Sequence, residues 1–505
     1  MTHPPVPPDG AAGSAGLPPR KAVPRRPRVP RSLWRGEEVT ETLPIVESLR
    51  LTPYRNPRVL QAAAEEREAR ASVDLALRAG ELMLRCGAGV SQVESSVIAV
   101  AAAAGLDNLE VDITLQSLLV QCTTASGQQI TMLRVVRSAT HDYARLSAVH
   151  EFVENLVAGS YDREAAAARL RDIRRMPRFW PRWVVHGAMG ALSGAVALML
   201  GAGVVAALIA GLSALLVDRT ARSLGGRGLP EFYQCALGGF IATAIAWCGF
   251  SLGAAGVLPV SSAEFAFIVA GGIVVLLPGR TVASAFEDVI SGYSVTGAGR
   301  MFGVLLTTAG IILGVAAALS ATIKVTTAFD LPLASPSVIQ LSAVESPLVA
   351  GVFGATVVGV AGAVTLRSRR KLVLATGLLS MAAFGLSLAI ATVPGAGALT
   401  AAGVASVVLG FVGRLVALRL GAPAMVLVVP ASYALLPGLA IFRGLYEMVR
   451  ASSEGAGVLT LQGGITTLLG AMAVLLAIAT GTTLGDFLGA PFDHRVVQKR
   501  RARRR

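Results

Sequence analysis

Ten apolar runs follow one another between residues 183 and 480, and no soluble fold has room to bury them all. They fall at about 183–200, 202–217, 232–253, 262–278, 302–323, 347–366, 372–391, 396–415, 424–442 and 458–480. A soluble chain has to cover its outside with polar side chains, whereas a bilayer removes that need. Composition points the same way, with 53% hydrophobic and 15% charged residues. The charges crowd into the first 182 residues and the last dozen. In lipid an unpaired backbone group is costly, so the runs are expected to be helices. The inside–outside alternation of a membrane β-barrel is absent. The expected fold is therefore an α-helical integral membrane protein of about ten transmembrane helices, within nine to eleven, behind an N-terminal soluble α+β domain.

Charge placement orients the chain. With the N-terminus inside, the cytoplasmic connections carry Arg219, Arg222, Arg227, Arg280, Arg300, Arg367, Arg369, Arg370, Lys371, Arg414 and Arg419. The outer connections carry Lys324, Arg443 and Arg450. That bias predicts both termini in the cytoplasm and the loop around Ser261–Ala263 outside. The net charge of +14 sits largely in a Pro/Arg-rich start and in the run Lys499–Arg505. Basic ends beside membrane spans suit anionic lipid rather than nucleic acid. Cys86, Cys122, Cys235 and Cys248 have no metal-ligand spacing and read as small buried hydrophobes.

Five segments are expected. Residues 1–56 form a disordered Pro/Arg-rich tail without the apolar core of a secretory signal. Residues 57–176 form the cytoplasmic α+β domain, 177–323 a first membrane repeat, 324–487 a second, and 488–505 a basic cytoplasmic tail. In the α+β domain Asn56 can cap a helix beginning at Pro57. Its helical spacing puts Val59, Leu60, Ala63, Val73, Leu77 and Leu84 on one side, and Gly87-Ala88-Gly89 ends it. Ser91 with Glu94 has the spacing of a capping box for the next helix. Val111–Leu115 and Ile130–Val135 read as strands joined through Ala125-Ser126-Gly127, followed by helices near Arg145–Ala158 and Arg163–Arg175. The domain shows no metal cluster, phosphate loop or catalytic triad pattern, and no cofactor is expected.

The membrane part repeats at an offset of 159 residues. Leu276-Leu277-Pro278-Gly279 recurs as Leu435-Leu436-Pro437-Gly438, Asp288 falls on Glu447, and Thr307-Thr308 falls on Thr466-Thr467. The runs align as five plus five. Because five is odd, the second half enters the membrane in the opposite sense, the architecture of many secondary transporters. Each Pro-Gly pair is expected to break a helix, because proline removes a hydrogen bond and glycine tolerates unusual backbone. A helix starting at a break offers free N–H groups to a carboxylate, and the acids nearby suit an ammonium group or a proton. A zwitterionic amino acid fits both. The alternative leaves Glu287, Asp288 and Glu447 as solvated loop acids. His186 reads as an interfacial side chain or a proton relay. The threonines read as backbone-bonded or as partners of a substrate hydroxyl. Gly190/Gly194 and Gly310/Gly314 have the spacing of close helix contacts.

Two stretches resemble a known family. Residues 76–84, ALRAGELML, followed by 87–94, GAGVSQVE, are similar to the opening of the bacterial threonine/serine exporters. LLPGRTVASAFEDVISG at 276–292 resembles that family's broken-helix motif, and the second LLPG resembles its C-terminal counterpart. The resemblance spans about residues 70–482. It implies a multi-pass plasma-membrane carrier that exports threonine and serine, driven by the proton gradient, with a cytoplasmic N-terminal domain; no enzymatic activity is expected, because that domain shows no nucleophile–base arrangement. Its partners would be a small amino acid, protons and the bilayer, and an oligomer is compatible with it. The site residues expected from the repeat are Pro278, Gly279, Asp288, Thr307 and Thr308, with Pro437, Gly438, Glu447, Thr466 and Thr467. Two other readings compete: a channel or ligand-responsive sensor, and a membrane-bound hydrolase using Ser95, Ser96, His141 or His150.

Overall fold

The computed structural model describes residues 57–106, 108–137, 140–329, 348–453 and 458–492. The expected tail 1–56, with Asn56, and the end of the basic C-terminal tail lie outside them. The chain divides at Ala63/Ala64, and of the first unit only the opening turns of α1 (Pro57–Cys86) are described.

Glycine ends α1 as its spacing predicts: Gly87 has φ +94° and donates its N–H to Leu84 O. The next helix, α2 (Val90–Ala103), starts differently from expectation. Gly89 is the N-cap and no side chain caps the helix, so the Ser91/Glu94 capping box does not form. Long-range partners replace it. Val90 donates its N–H to Asp288, 198 residues away, and Glu94 accepts from the hydroxyl of Tyr293.

Three strands follow, not two: β1 (Leu109–Thr114), β2 (Ser117–Thr123) and β3 (Gln129–Val135), antiparallel in the order β1-β2-β3. Thr114 faces Ser117 and Thr123 faces Gln129, so the turn at 125–127 joins β2 to β3. In β2, Leu118, Val120 and Cys122 alternate inward and are fully buried. α3 (Tyr143–Val157) and α4 (Arg163–Arg175) are capped by Asp142 and Asp162, which accept from the N–H groups of Arg145 (3.1 Å) and Ala165 (2.7 Å).

All ten apolar runs coincide with helices. They are α5 (Arg182–Met199), α6 (Val204–Gly225), α7 (Glu231–Ala254), α8 (Ser262–Ile273) with α9 (Gly279–Ile290), and α10 (Ser294–Phe329). Then come α11 (Leu348–Thr365), α12 (Arg370–Ala391), α13 (Ala398–Leu420), α14 (Met425–Ala431) with α15 (Gly438–Ser453), and α16 (Val458–Gly489). Seven of these are long and apolar enough to cross a membrane singly: α6, α7, α10, α11, α12, α13 and α16. An eighth crossing results if the bent pair 425–435 and 438–444, at 49°, counts as one. The number differs from ten because α8 has only 12 residues and α5 opens on Arg182 and carries His186. The apolar faces are open where lipid would lie. Leu208, Leu212 and Leu216 form an exposed stripe on α6, as do Val404, Val408 and Val412 on α13.

Both proposed breaks are helix starts. α9 begins at Gly279 and α15 at Gly438, each following its Leu-Leu-Pro. The two halves also share a packing pattern. α6 lies against α5 and α7, and α10 against α7 and α9; likewise α12 lies against α11 and α13, and α16 against α13 and α15. α8 rests on α5, α6 and α7 as α14 rests on α11, α12 and α13, and the halves meet through α5 and α11. Glycine makes the closest contacts. Gly190 and Gly194 face backbone carbonyls of Gly211 and Ala207 on α6; Gly310 and Gly314 face those of Phe232 and Ala236 on α7. Gly485 does the same on α13 against Val407.

Two buried serines tie neighbouring helices together through backbone carbonyls. Ser193 of α5 reaches Ala210 O of α6 at 3.0 Å and Gly271 O of α8, and Ser380 of α12 reaches Ala355 O of α11 at 2.8 Å. His186 faces Asp218 at 3.4 Å and Arg222 at 2.7 Å, a cluster near the end of α6. Cys86, Cys122 and Cys235 are buried as expected, but Cys248 is exposed, because it lies on the outward side of α7.

Candidate functional site

α9 is strongly two-sided. Val282 and Ala285 are buried among neighbouring helices, whereas Thr281, Ser284 and Glu287 line a cavity of about 1040 Å³. Three parts of the chain build its wall: the N-terminal α+β region through Ser91, Gln116 and His141, the first half through α9 and α10, and the second half through α13, α14 and α16. The volume lies at the upper end of ligand pockets, roughly 300–1,000 Å³, which suits a vestibule more than a close-fitting slot.

Charges of both signs face this space. Glu287 has no hydrogen-bond or ion-pair partner among the described residues. Its carboxylate sits over Gly89, where an added Cβ would stand 3.1 Å from Oε1. The positive end of α2 therefore points at it. Arg300 lines the cavity from α10 and is held by an ion pair to Asp288. Arg414 of α13 pairs with Asp486 of α16 at 2.5 Å and also donates to its backbone carbonyl at 3.1 Å.

Asp288 is only 1% exposed, so it is neither a solvated loop acid nor a cavity wall. One oxygen accepts Val90 N–H at 3.2 Å and the other takes Arg300. Breaking such a buried pair is far more disruptive than an exposed one. Pro278 and Thr307 do line the cavity. Thr307 donates to Gly303 O (3.1 Å) and Val304 O (3.0 Å), which leaves its oxygen lone pairs available to a ligand hydroxyl. Thr308 is half-buried beside it.

The residues expected from the second half gather elsewhere. Glu447 accepts from Thr467 at 3.3 Å, and Thr466 and Thr467 donate to Gly463 O. Pro437 and Gly438 stand at the second break, where a Cβ added at Gly438 would meet Leu277 and Val274 of the first half. Thus the repeat-related threonines and acids do not share one cavity. Charged cavity residues that the repeat did not single out include Glu287, Arg300, Arg414 and Asp486. Glu287 was legible as the residue before Asp288, one face round on an amphipathic helix. Among the described residues no group of three His, Cys, Asp or Glu side chains is placed to hold a metal.

Similarity to known proteins bears on this architecture. Residues 74–322 match a family model described as a putative threonine/serine exporter, and residues 351–488 match one described as threonine/serine exporter, ThrE. The division between the two falls where α10 ends and α11 begins, between the packing halves. The chain is 30% identical over 427 residues to the probable threonine/serine exporter of Mycobacterium tuberculosis (strain ATCC 25618 / H37Rv), covering 84% of this chain and 77% of that protein. It is also 30% identical over 425 residues to the threonine/serine exporter of Corynebacterium glutamicum, covering 82% of each. No solved structure matches it. With two family models in order along the chain and relatives matched over most of their length, this protein belongs to the threonine/serine exporter family.

Proposed function

We propose that the chain is a secondary active carrier that exports threonine and serine across the plasma membrane in exchange for protons. Both termini and the α+β region lie on the cytoplasmic side, and two inverted repeats of five apolar runs each alternate access. The observation that carries this reading is the mixed charge of the cavity. A small hydroxy amino acid needs an acid for its ammonium group, a guanidinium for its carboxylate and a hydroxyl partner. Glu287, Arg300 and Thr307 supply all three on neighbouring turns of α9 and α10. Asp288 positions Arg300 from behind, and Glu447 with Thr467 occupies the corresponding place in the second half. The recurring neighbours of the two halves and the matching helix breaks support the repeat. The names of the relatives support the substrates.

Counterflow in proteoliposomes tests it. Liposomes loaded with unlabelled threonine or serine should concentrate labelled threonine transiently, and an imposed proton gradient should accelerate efflux. Alanine and valine, lacking the hydroxyl, should compete poorly. Uptake without a counterflow overshoot would point to a channel, and hydrolysis of an ester or peptide probe would point to the N-terminal region as an enzyme.

A further inference from the structure

The N-terminal α+β region touches both halves of the bundle, but by two different kinds of contact. Toward the second half the contact is backbone and core. The N–H groups of Tyr143 and Ala144 donate to Leu366 O (3.0 Å) and Arg367 O (3.1 Å), extending α3 onto the connection between α11 and α12. Trp180 Nε1 donates to Ser368 O at 2.8 Å, and Arg369 pairs with Glu151 at 3.3 Å. The apolar core is continuous across this junction: Val90, Leu146 and Phe152 belong to one buried cluster with Leu372, Val426 and Leu427. The core around Phe267 and Ile268 in the first half is a different cluster, which Phe442 of α15 joins and which includes no residue of the N-terminal region.

Toward the first half, hydrogen bonds carry most of the contact, beside Tyr293 packed on the same core and Leu115 lying over Gly299. Val90 N–H meets Asp288, Glu94 meets Tyr293, and Thr296 Oγ1 sits between Leu115 N (3.1 Å) and Ile113 O (3.3 Å). Polar contacts of this sort are replaceable by water when they part, whereas a shared apolar core is not, because opening it exposes hydrocarbon. The cavity lies between these two attachments, so parting one of them changes its width.

We infer that the N-terminal α+β region moves as one body with the second half and is the cytoplasmic gate of the carrier, closing against the α9–α10 connection of the first half through the 288–300 contacts. This rests on the carrier reading above and adds a direction to it: the junction at 366–369 stays shut through the cycle, and the junction at 288–300 opens in it. Substrate entering from the cytoplasm passes the tip of the β1–β2 hairpin.

The test joins each junction covalently in the full-length chain after alanine replaces the four cysteines. Leu115→Cys with Thr296→Cys bridges the first junction through a short bis-methanethiosulfonate, and Glu151→Cys with Arg369→Cys bridges the second. Glu94→Cys with Tyr293→Cys and a longer reagent of the same chemistry reads the first junction independently, should the first pair fail to insert. Threonine efflux from proteoliposomes is compared before bridging, after bridging and after reduction. Bridging the first junction should lower efflux about ten-fold or more and reduction should restore it, while bridging the second should change it less than about two-fold. Full efflux with the first junction bridged, or equal arrest by both bridges, overturns the gate. If the unbridged proteins and their parent carry neither threonine nor serine, the carrier reading itself fails instead.

Discussion

Leu436, beside the second helix break, packs over Gly279 of the first, so that a Cβ added at Gly279 would stand 2.9 Å from the leucine Cδ1. The relation is reciprocal in kind, since a Cβ added at Gly438 would stand 3.8 Å from Leu277 Cδ1. The two breaks therefore cross each other where the halves meet. The obstructing atom is the free end of a flexible side chain, which can rotate away. Gly279→Ala should thus insert and retain at least half of wild-type efflux. Gly279→Val, with two further carbons against Leu436, should overpack the crossing by about 1–3 kcal/mol. Expression level and threonine efflux of the two variants check this, and equal behaviour would mean the contact does not limit the crossing.

A carbonyl cannot rotate away. Gly314 lies so close to Ala236 O that a methyl group has no room without separating α7 from α10. Gly314→Ala should cost about 1–3 kcal/mol. Gly385→Ala, where an added Cβ meets nothing within 4 Å, should be neutral or stabilising. Thermal unfolding of the two variants in detergent should give a lower midpoint for the first only.

Asp288 and Arg300 should behave as a unit. Asp288→Asn keeps an acceptor for Val90 N–H but leaves Arg300 without its ion pair. It should insert normally and lower efflux, and Asp288→Ala should lower both expression and efflux further. In a double-mutant cycle with Arg300→Gln, the combined loss should be smaller than the sum, with a coupling of about 0.5–3 kcal/mol. Additive losses would show that the two side chains act separately.

Burial pushes the Cys86 thiol up to about 12 from the ordinary 9.0, with the nearby Asp142 adding to the rise. A thiol raised on folding favours the neutral form, so its contribution to stability is complete below pH 9 and is lost as pH rises through the window from 9 to about 12. Cys86 should therefore resist maleimide at pH 7.5 in the folded chain and label fully once the α+β region is unfolded. Mass spectrometry of the labelled protein reads this directly, and rapid labelling in the native state would contradict the burial.

The sequence made the membrane helices legible because hydropathy is a property of each run alone. The helix ends at Gly87, Gly279 and Gly438 were legible for the same reason, as backbone properties of glycine and proline. The strand β2 was not: Ser117-Leu118-Leu119-Val120 alternates less plainly than its neighbours, and its partner strands had to be in place to define it. The start of α2 departs from expectation because Ser91 and Glu94 carry a local capping signal that distant residues, Asp288 and Tyr293, override. The repeat drew attention to Asp288 because Glu447 matches it. It had no means of marking Glu287, which sits over Gly89, or Arg414, which pairs with Asp486, because those neighbours come from distant parts of the chain.

Glu287 faces the cavity with no hydrogen-bond or ion-pair partner among the described residues, and proton-coupled export requires its charge. Glu287→Gln keeps the shape of the side chain and removes its charge. Threonine efflux driven by a proton gradient and threonine exchange without one are to be measured side by side in proteoliposomes, at matched protein levels. Glu287→Gln should insert as the wild type does and lose gradient-driven efflux by about ten-fold or more, with exchange weakened through the lost ammonium partner. Wild-type rates in both assays would contradict it, and would remove Glu287 and the cavity around it from the transport path.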